Sequence, residues 1–437
     1  MSTSPPSYEL VRQPDFEDSP PEYGAAISSI HADIPITSEH KVSLKHPDGR
    51  EGLTLVVRSR AQDGKYLPLF FDGDAIAGEV RVNFEKAESL KGATIRVTGV
   101  VMSVGTMDLT FLDLVEPLWS PEGQGPLQGE HTWPFSIKLP ADTPLALNPK
   151  STPERYSLPP SISDRASPVQ VRYKLAVNVR RGVLYADHDL YTSFVYLPRS
   201  IAEPPSVMRR VAYQEMTPLL GPEEDPQGWK VLHPLGIEGT LSKKRSVSVQ
   251  CDFAVAIPLS YGSGSPIPLK VTLRGADAEA LDLLAPALKV QLRRTITTGS
   301  EHASQRSDKT FVNTVAQAVF WPESEATTGA GTSGTKVMWG ELYVPKGITA
   351  TFSFFKLAIK YDLVVLPPQI PGFASSAKSK EPLLSEPIVV TLANARGVHS
   401  RSYVPPGYVV PEPEEDWQST AYAFLETGKY RYSGRSD

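Results

Sequence analysis

The chain has 437 residues, with 44 Lys and Arg against 49 Asp and Glu for a formal net charge of −5. That balance carries no basic footprint for a nucleic-acid partner, and 40% hydrophobic with 21% charged residues excludes a fibre or a coiled coil. One cysteine, Cys251, excludes an internal disulfide framework and any cysteine-rich zinc site.

Residues 1–26 are rich in Pro, Ser, Glu and Tyr without a period and read as a disordered arm. The first residues, Met1-Ser2-Thr3-Ser4-Pro5-Pro6, lack the charged and apolar regions of a signal peptide. No apolar stretch approaches 18 residues and no lipidation pattern closes the sequence, so the expected location is cytoplasmic. From about residue 51 short alternating runs begin, the pattern of half-buried strands. Ala93, Ile95, Val97, Gly99 and Val101 share a face against Thr94, Arg96 and Thr98, and Val171, Tyr173, Leu175, Val177 and Val179 oppose Arg172, Lys174, Asn178 and Arg180. Residues 198–230, broken by six prolines, read as a linker.

Alternation then resumes. Val247, Val249, Cys251, Phe253, Val255 and Ile257 line one face, followed by Leu269-Val271-Leu273, Leu288-Val290-Leu292 and the long run Leu357, Ile359, Tyr361, Leu363 and Val365. Helical periodicity is nearly absent; its best instance, Asp277 to Leu288, is broken by Pro286 and predicts a short turn of helix at most. Two polar insertions, about 297–310 and 323–335, read as loops. Strands with one apolar face need a second sheet to cover them, so the fold class is all-β, with two consecutive β-sandwiches.

Both tails carry one motif, PPxY, in three copies: Pro5-Pro6-Ser7-Tyr8, Pro20-Pro21-Glu22-Tyr23 and Pro405-Pro406-Gly407-Tyr408. Two prolines hold φ near the polyproline II value, so the peptide meets a groove already extended, and the tyrosine adds a flat ring with a hydroxyl handle. That is the ligand shape WW domains read. Composition alone, with 41 Pro and 17 Tyr, gives about 0.15 copies by random placement. The first two motifs start 15 residues apart, a reach of up to about 50 Å, enough for two WW domains of one partner.

Certain turn residues carry a resemblance to a family. Gly73-Asp74-Ala75-Ile76-Ala77-Gly78-Glu79-Val80 resembles the GDxIxGxV signature of the arrestin N-terminal domain. Gly129 to Pro140, with Trp133-Pro134-Phe135-Ser136 at its centre, then Leu158-Pro159-Pro160-Ser161 and Val171-Arg172-Tyr173-Lys174-Leu175, are similar to that domain's later segments. Pro266 to Val271 and Ile359 to Val365 are similar to the arrestin C-terminal domain. Ser167-Pro168 departs from the pattern, standing where a glycine often precedes the Val171 strand. With its PPxY motifs the chain resembles an α-arrestin, an arrestin-related trafficking adaptor.

What the resemblance implies is a disordered arm at 1–26, an arrestin-like sandwich at 27–200, the linker at 201–230, a second sandwich at 231–395 and a disordered tail at 396–437. It implies an adaptor without enzymatic activity that recruits a WW-domain HECT-type ubiquitin ligase to integral membrane cargo, such as transporters or receptors, for ubiquitylation, endocytosis and sorting. Such an adaptor is cytoplasmic and is recruited peripherally to the plasma membrane and endosomes. The WW-binding residues are then Pro5, Pro6, Tyr8, Pro20, Pro21, Tyr23, Pro405, Pro406 and Tyr408. The rival reading is an arrestin-fold scaffold in signalling or endosomal sorting, independent of ubiquitin transfer.

Other candidate chemistry reads blandly. Gly329-Ala330-Gly331-Thr332-Ser333-Gly334 fits GxGxxG but lacks the strand and helix that a dinucleotide site needs. Asp187-His188-Asp189 suggests a metal, yet strand neighbours point to opposite faces, and neither a metal nor a cofactor is expected. Lys243-Lys244-Arg245 and Arg209-Arg210 read either as solvated strand ends or as a peripheral contact with anionic lipid. Cys251 reads as a small buried hydrophobe.

Overall fold

The computed structural model describes residues 36, 38–45, 50–103, 108–122, 125–146, 150–162, 169–182, 187–242, 244–299, 309–323, 334–379 and 381–408. Its elements are strands with two short α-helices among the described residues, an all-β sandwich architecture. The alternating runs form the strands because each has one face to bury; full burial of a Val, Leu, Ile or Phe side chain contributes about 1.5–3 kcal/mol. In Val169–Arg181, for instance, Val171, Tyr173, Leu175, Val177 and Val179 are all buried while Arg172 and Lys174 face out.

Two sheets are built from residues 38–197. One orders Ser38–Lys45, Glu51–Ser59, Ala75–Glu88 and Leu127–Lys138; the other orders Leu69–Phe71, His188–Leu197, Val169–Arg181, Leu90–Ser103 and Leu109–Trp119. Two larger sheets follow. A seven-stranded one runs Val319–Pro322, Thr335–Tyr343, Pro266–Arg274, Arg245–Ala256, Leu235–Leu241 and Phe373–Ser375, with Trp229–Val231 also on Arg245–Ala256. A six-stranded one runs Ser260–Gly262, Leu384–Thr391, Leu357–Leu366, Lys289–Thr298 and Lys309–Gln317, with Phe352–Phe354 also on Leu357–Leu366. Among the described residues no named strand of the first pair of sheets pairs with one of the second. Aromatic packing joins them instead: Phe111 meets Phe354 edge-on at 5.0 Å, and Tyr156 meets Phe355 at 5.6 Å.

Gly78 sits where one strand passes tightly between two others. A Cβ there would lie 2.0 Å from the Val56 carbonyl oxygen and 2.9 Å from the Phe135 ring. Gly78→Ala must therefore separate backbones rather than swing a side chain aside. We expect it to destabilise the protein by about 1–3 kcal/mol, read from denaturant melts. An unchanged melt would show that the sheet opens freely there.

Where a short turn of helix at most is expected, between Asp277 and Leu288, the structure has a longer element: helix α2 (Ala278–Leu284) is capped by Asp277, and Ala285–Ala287 continues it as a 3₁₀ turn through Pro286. The stretch 198–230, which reads as linker, contains a further helix, α1 (Val207–Glu215), N-capped by Ser206. Its pattern misleads because its polarity is inverted. Val207, Met208 and Val211 face solvent while Arg209, Ala212 and Tyr213 are buried. The parts of the two polar insertions at 300–308 and 324–333 lie outside the described residues.

Candidate functional site

After the strand Leu384–Thr391 the chain is tied to the segment that crosses from the first pair of sheets. Leu392 N donates to Ser200 Oγ at 2.9 Å, Ala393 N to Ser200 O at 3.2 Å, and Ala202 N returns a bond to Ala393 O at 2.9 Å. A turn closed by Val398 N on Ala395 O at 3.1 Å sends the chain toward helix α1 and the outer side of the seven-stranded sheet. Residues 400–408, expected to be disordered with the rest of the tail, instead form a strap against the two strands at one edge of that sheet, Thr335–Tyr343 and Val319–Pro322, because Glu341 and Trp321 give them partners.

Glu341, in the strand Thr335–Tyr343, holds the strap. It is only 3% exposed, its Oε1 accepts the Ser402 hydroxyl at 2.6 Å, and its Oε2 accepts the Tyr403 amide at 2.8 Å. Burial pushes the Glu341 carboxyl above its ordinary range, and the two strap donors oppose that rise. No ion pair reaches Glu341 among the described residues. The Tyr403 ring stacks on Tyr213 of α1 at 6.1 Å, while its buried hydroxyl has no hydrogen-bond partner among the described residues.

The third PPxY motif follows. Tyr408 N donates to Pro405 O at 3.2 Å, and Gly407 has φ 94°, so the four residues close a type II turn with Pro406 and Gly407 at its centre. The Tyr408 ring lies 6.4 Å from Trp321, tilted by 58°, and the residue is 42% exposed. Pro405 and Tyr403 form one wall of a cavity of about 600 Å³ whose other walls include Met216, Leu220, Trp321 and Trp339. Lys270 crosses the Trp339 ring at 5.2 Å and pairs with Glu223 at 3.2 Å, and Trp339 Nε1 donates to Glu323 at 3.0 Å. Aromatic faces, proline rings and a few aimed polar groups are the chemistry of peptide recognition.

Of the WW-binding residues read from the sequence, the structure brings Pro405, Pro406 and Tyr408 together, while Pro5, Pro6, Tyr8, Pro20, Pro21 and Tyr23 lie outside the described residues. The extended polyproline form is not the one the third motif adopts. Polyproline II has no internal hydrogen bond, whereas this motif has one, and the positive φ at its third position is open to glycine at little cost. Ser7 and Glu22 hold that position in the other two copies. That difference is the one signal in the sequence that sets the third motif apart. Glu341 carries no such signal, because its partners lie 61 and 62 residues away.

The sequence marks a second polar cluster only as a turn. The Gly73-Asp74 turn is there, closed by Asp74 N on Phe71 O at 3.1 Å. The Asp74 carboxylate also accepts Arg60 Nε at 2.7 Å, Arg60 Nη2 at 2.9 Å and the Phe71 amide at 2.9 Å, and Arg199 Nη2 approaches at 3.5 Å. Arg199 N in turn donates to Asp72 at 2.6 Å. Burial alone would raise the Asp74 carboxyl; the bonds from Arg60 and Phe71 and the two guanidinium charges outweigh it and hold it below its ordinary range. This network pins the strand Leu69–Phe71 beside its parallel partner Val195–Leu197.

The remaining candidates scatter. Asp187 accepts Arg181 N, His188 meets the Arg181 guanidinium, and Asp189 accepts Asn178, so the three share no centre. Cys251 is buried, and burial pushes its thiol up to about 12. Arg209 is 6% exposed with its guanidinium on the Ile257 carbonyl, which leaves only Arg210 of that pair for any surface contact. Arg245 pairs with Asp277 and Glu279, Lys244 is exposed, and Lys243 lies outside the described residues, as does Gly329–Gly334 apart from its last glycine. No helix among the described residues is long and apolar enough to cross a membrane. A scan of protein-family models and a search of curated proteins both return no match to this chain.

Proposed function

We propose that this chain is an arrestin-like adaptor, not a catalyst, whose PPxY motifs recruit a WW-domain HECT-type ubiquitin ligase to membrane cargo selected by its β-sandwiches. The observation that carries the reading is the triple PPxY, one copy of which stands at the surface with Tyr408 partly exposed. What further supports it is the all-β architecture, in which paired sheets meet through aromatic packing and offer long strand edges and loops for cargo. Each short proline motif binds weakly alone, so multivalency supplies the affinity. The adaptor works in the cytoplasm, at the plasma membrane and endosomes.

Deleting residues 1–35 and 400–437 is expected to abolish both capture of the ligase and ubiquitylation of the cargo, with cargo binding retained. Affinity purification and a ubiquitin blot of the captured membrane proteins check it. Cargo ubiquitylation that survives the double deletion would instead favour a scaffold independent of ubiquitin transfer.

A further inference from the structure

We propose that Ser402 is a phosphorylation site whose modification frees the strap from Glu341 and opens the third PPxY motif for binding. This rests on the reading of that motif as a WW ligand. Ser402 is exposed, yet its hydroxyl makes one of the two bonds by which the strap holds a buried carboxylate. The residue lies at the surface, so a kinase takes its hydroxyl when the strap lifts transiently from Glu341, and the phosphate then opposes its return. In the transfer, Ser402 Oγ bonds to the γ-phosphorus of a nucleoside triphosphate as the β–γ bridging bond breaks. The nucleoside diphosphate leaves and the hydroxyl proton passes to the kinase's base.

The product has lost the donor that Glu341 accepted. It carries instead about −1.5 to −2 charges beside a buried carboxylate, with no ion pair to Glu341 among the described residues to offset them. Like charges at that separation repel, and the Tyr403 amide alone then ties the strap to Glu341. The Tyr403 hydroxyl adds no hydrogen bond to that seat among the described residues. Once the strap lifts, Tyr408 leaves Trp321 and the turn that Gly407 permits can extend into the polyproline form. While the turn is closed, apparent affinity is reduced by the fraction of open motif.

The test uses the full chain carrying Tyr8→Ala and Tyr23→Ala, so that the third motif alone remains. Phosphoserine is incorporated at 402 in one sample. Both samples, and synthetic peptides of residues 399–412 with and without the phosphate, are titrated with an isolated WW domain of a HECT-type ligase. The unmodified chain should bind about 10-fold more weakly than its peptide, and the phosphorylated chain within about 3-fold of the phosphopeptide. Amide exchange at Tyr403 and Tyr408 should accelerate about 10-fold on phosphorylation. Gly407→Ala, at φ 94° with no described residue near its Cβ, should open the turn with Ser402 untouched. Peptides that bind while the chain matches them before modification, or exchange that phosphate leaves unchanged, would overturn the proposal. Peptides that fail to bind would sink the WW reading instead, and the exchange rates would still decide whether phosphate releases the strap.

Discussion

Replacing Tyr8, Tyr23 and Tyr408 together by alanine is expected to lower affinity for a tandem pair of WW domains by more than about 100-fold, with the melting temperature held within about 2 °C. An aromatic anchor at the centre of a small interface is commonly worth about 2 kcal/mol or more. Loss of the paired contact also removes the avidity of a second, tethered motif, for which a short flexible tether gives an effective concentration near millimolar. The fold should not notice. Tyr408 is 42% exposed and, among the described residues, meets one aromatic ring, Trp321, so its truncation costs little in stability. Single replacement of Tyr8 or Tyr23 should weaken binding to the tandem pair much more than binding to one WW domain. Calorimetric titration alongside thermal melts decides the matter. Binding retained by the triple variant, or a melt lowered by several degrees, would remove the motifs from the recruitment mechanism.

Asp74→Asn is expected to cost about 3–5 kcal/mol of stability, because it strips the charge from a carboxylate that two partly buried guanidinium groups face. The side chain of Asp74 is 5% exposed, and those of Arg60 and Arg199 are 13% and 25% exposed, so water screens the loss poorly. The effect has a pH signature. With its folded pKa held below the ordinary carboxylate value, the ionised group contributes its stability in full above about pH 4 and loses it as the pH falls through the folded value. The gap between wild type and variant should therefore be largest near neutrality and narrow on acidification, since asparagine mimics the protonated acid. Denaturant melts from pH 7 to pH 3 measure it. A gap that stays constant over this range would mean that packing, and not the ion pairs, is what the substitution disturbs.

The strands at residues 90–103, 169–181, 245–256, 266–274 and 357–366 are legible in the sequence because period-two alternation reports directly which face is covered. Helix α1 is hidden by the same logic. Its apolar residues point outward and Arg209 points inward, an arrangement that makes sense only once Tyr213 is seen stacked on Tyr403 and the Arg209 guanidinium on Ile257. The alternating strands, their need for covering sheets and the presence of three PPxY copies are properties of short stretches of chain, legible without the fold. Tertiary structure alone decided that Glu341 would hold Ser402 and Tyr403, that Asp74 would meet Arg60 and Arg199, and that the third motif, whose turn its own Pro406-Gly407 pair permits, would lie against Trp321. Each of those contacts joins residues 14 to 125 positions apart, and a pairing across such a loop depends on sheet register and packing, which no local pattern of residue types records.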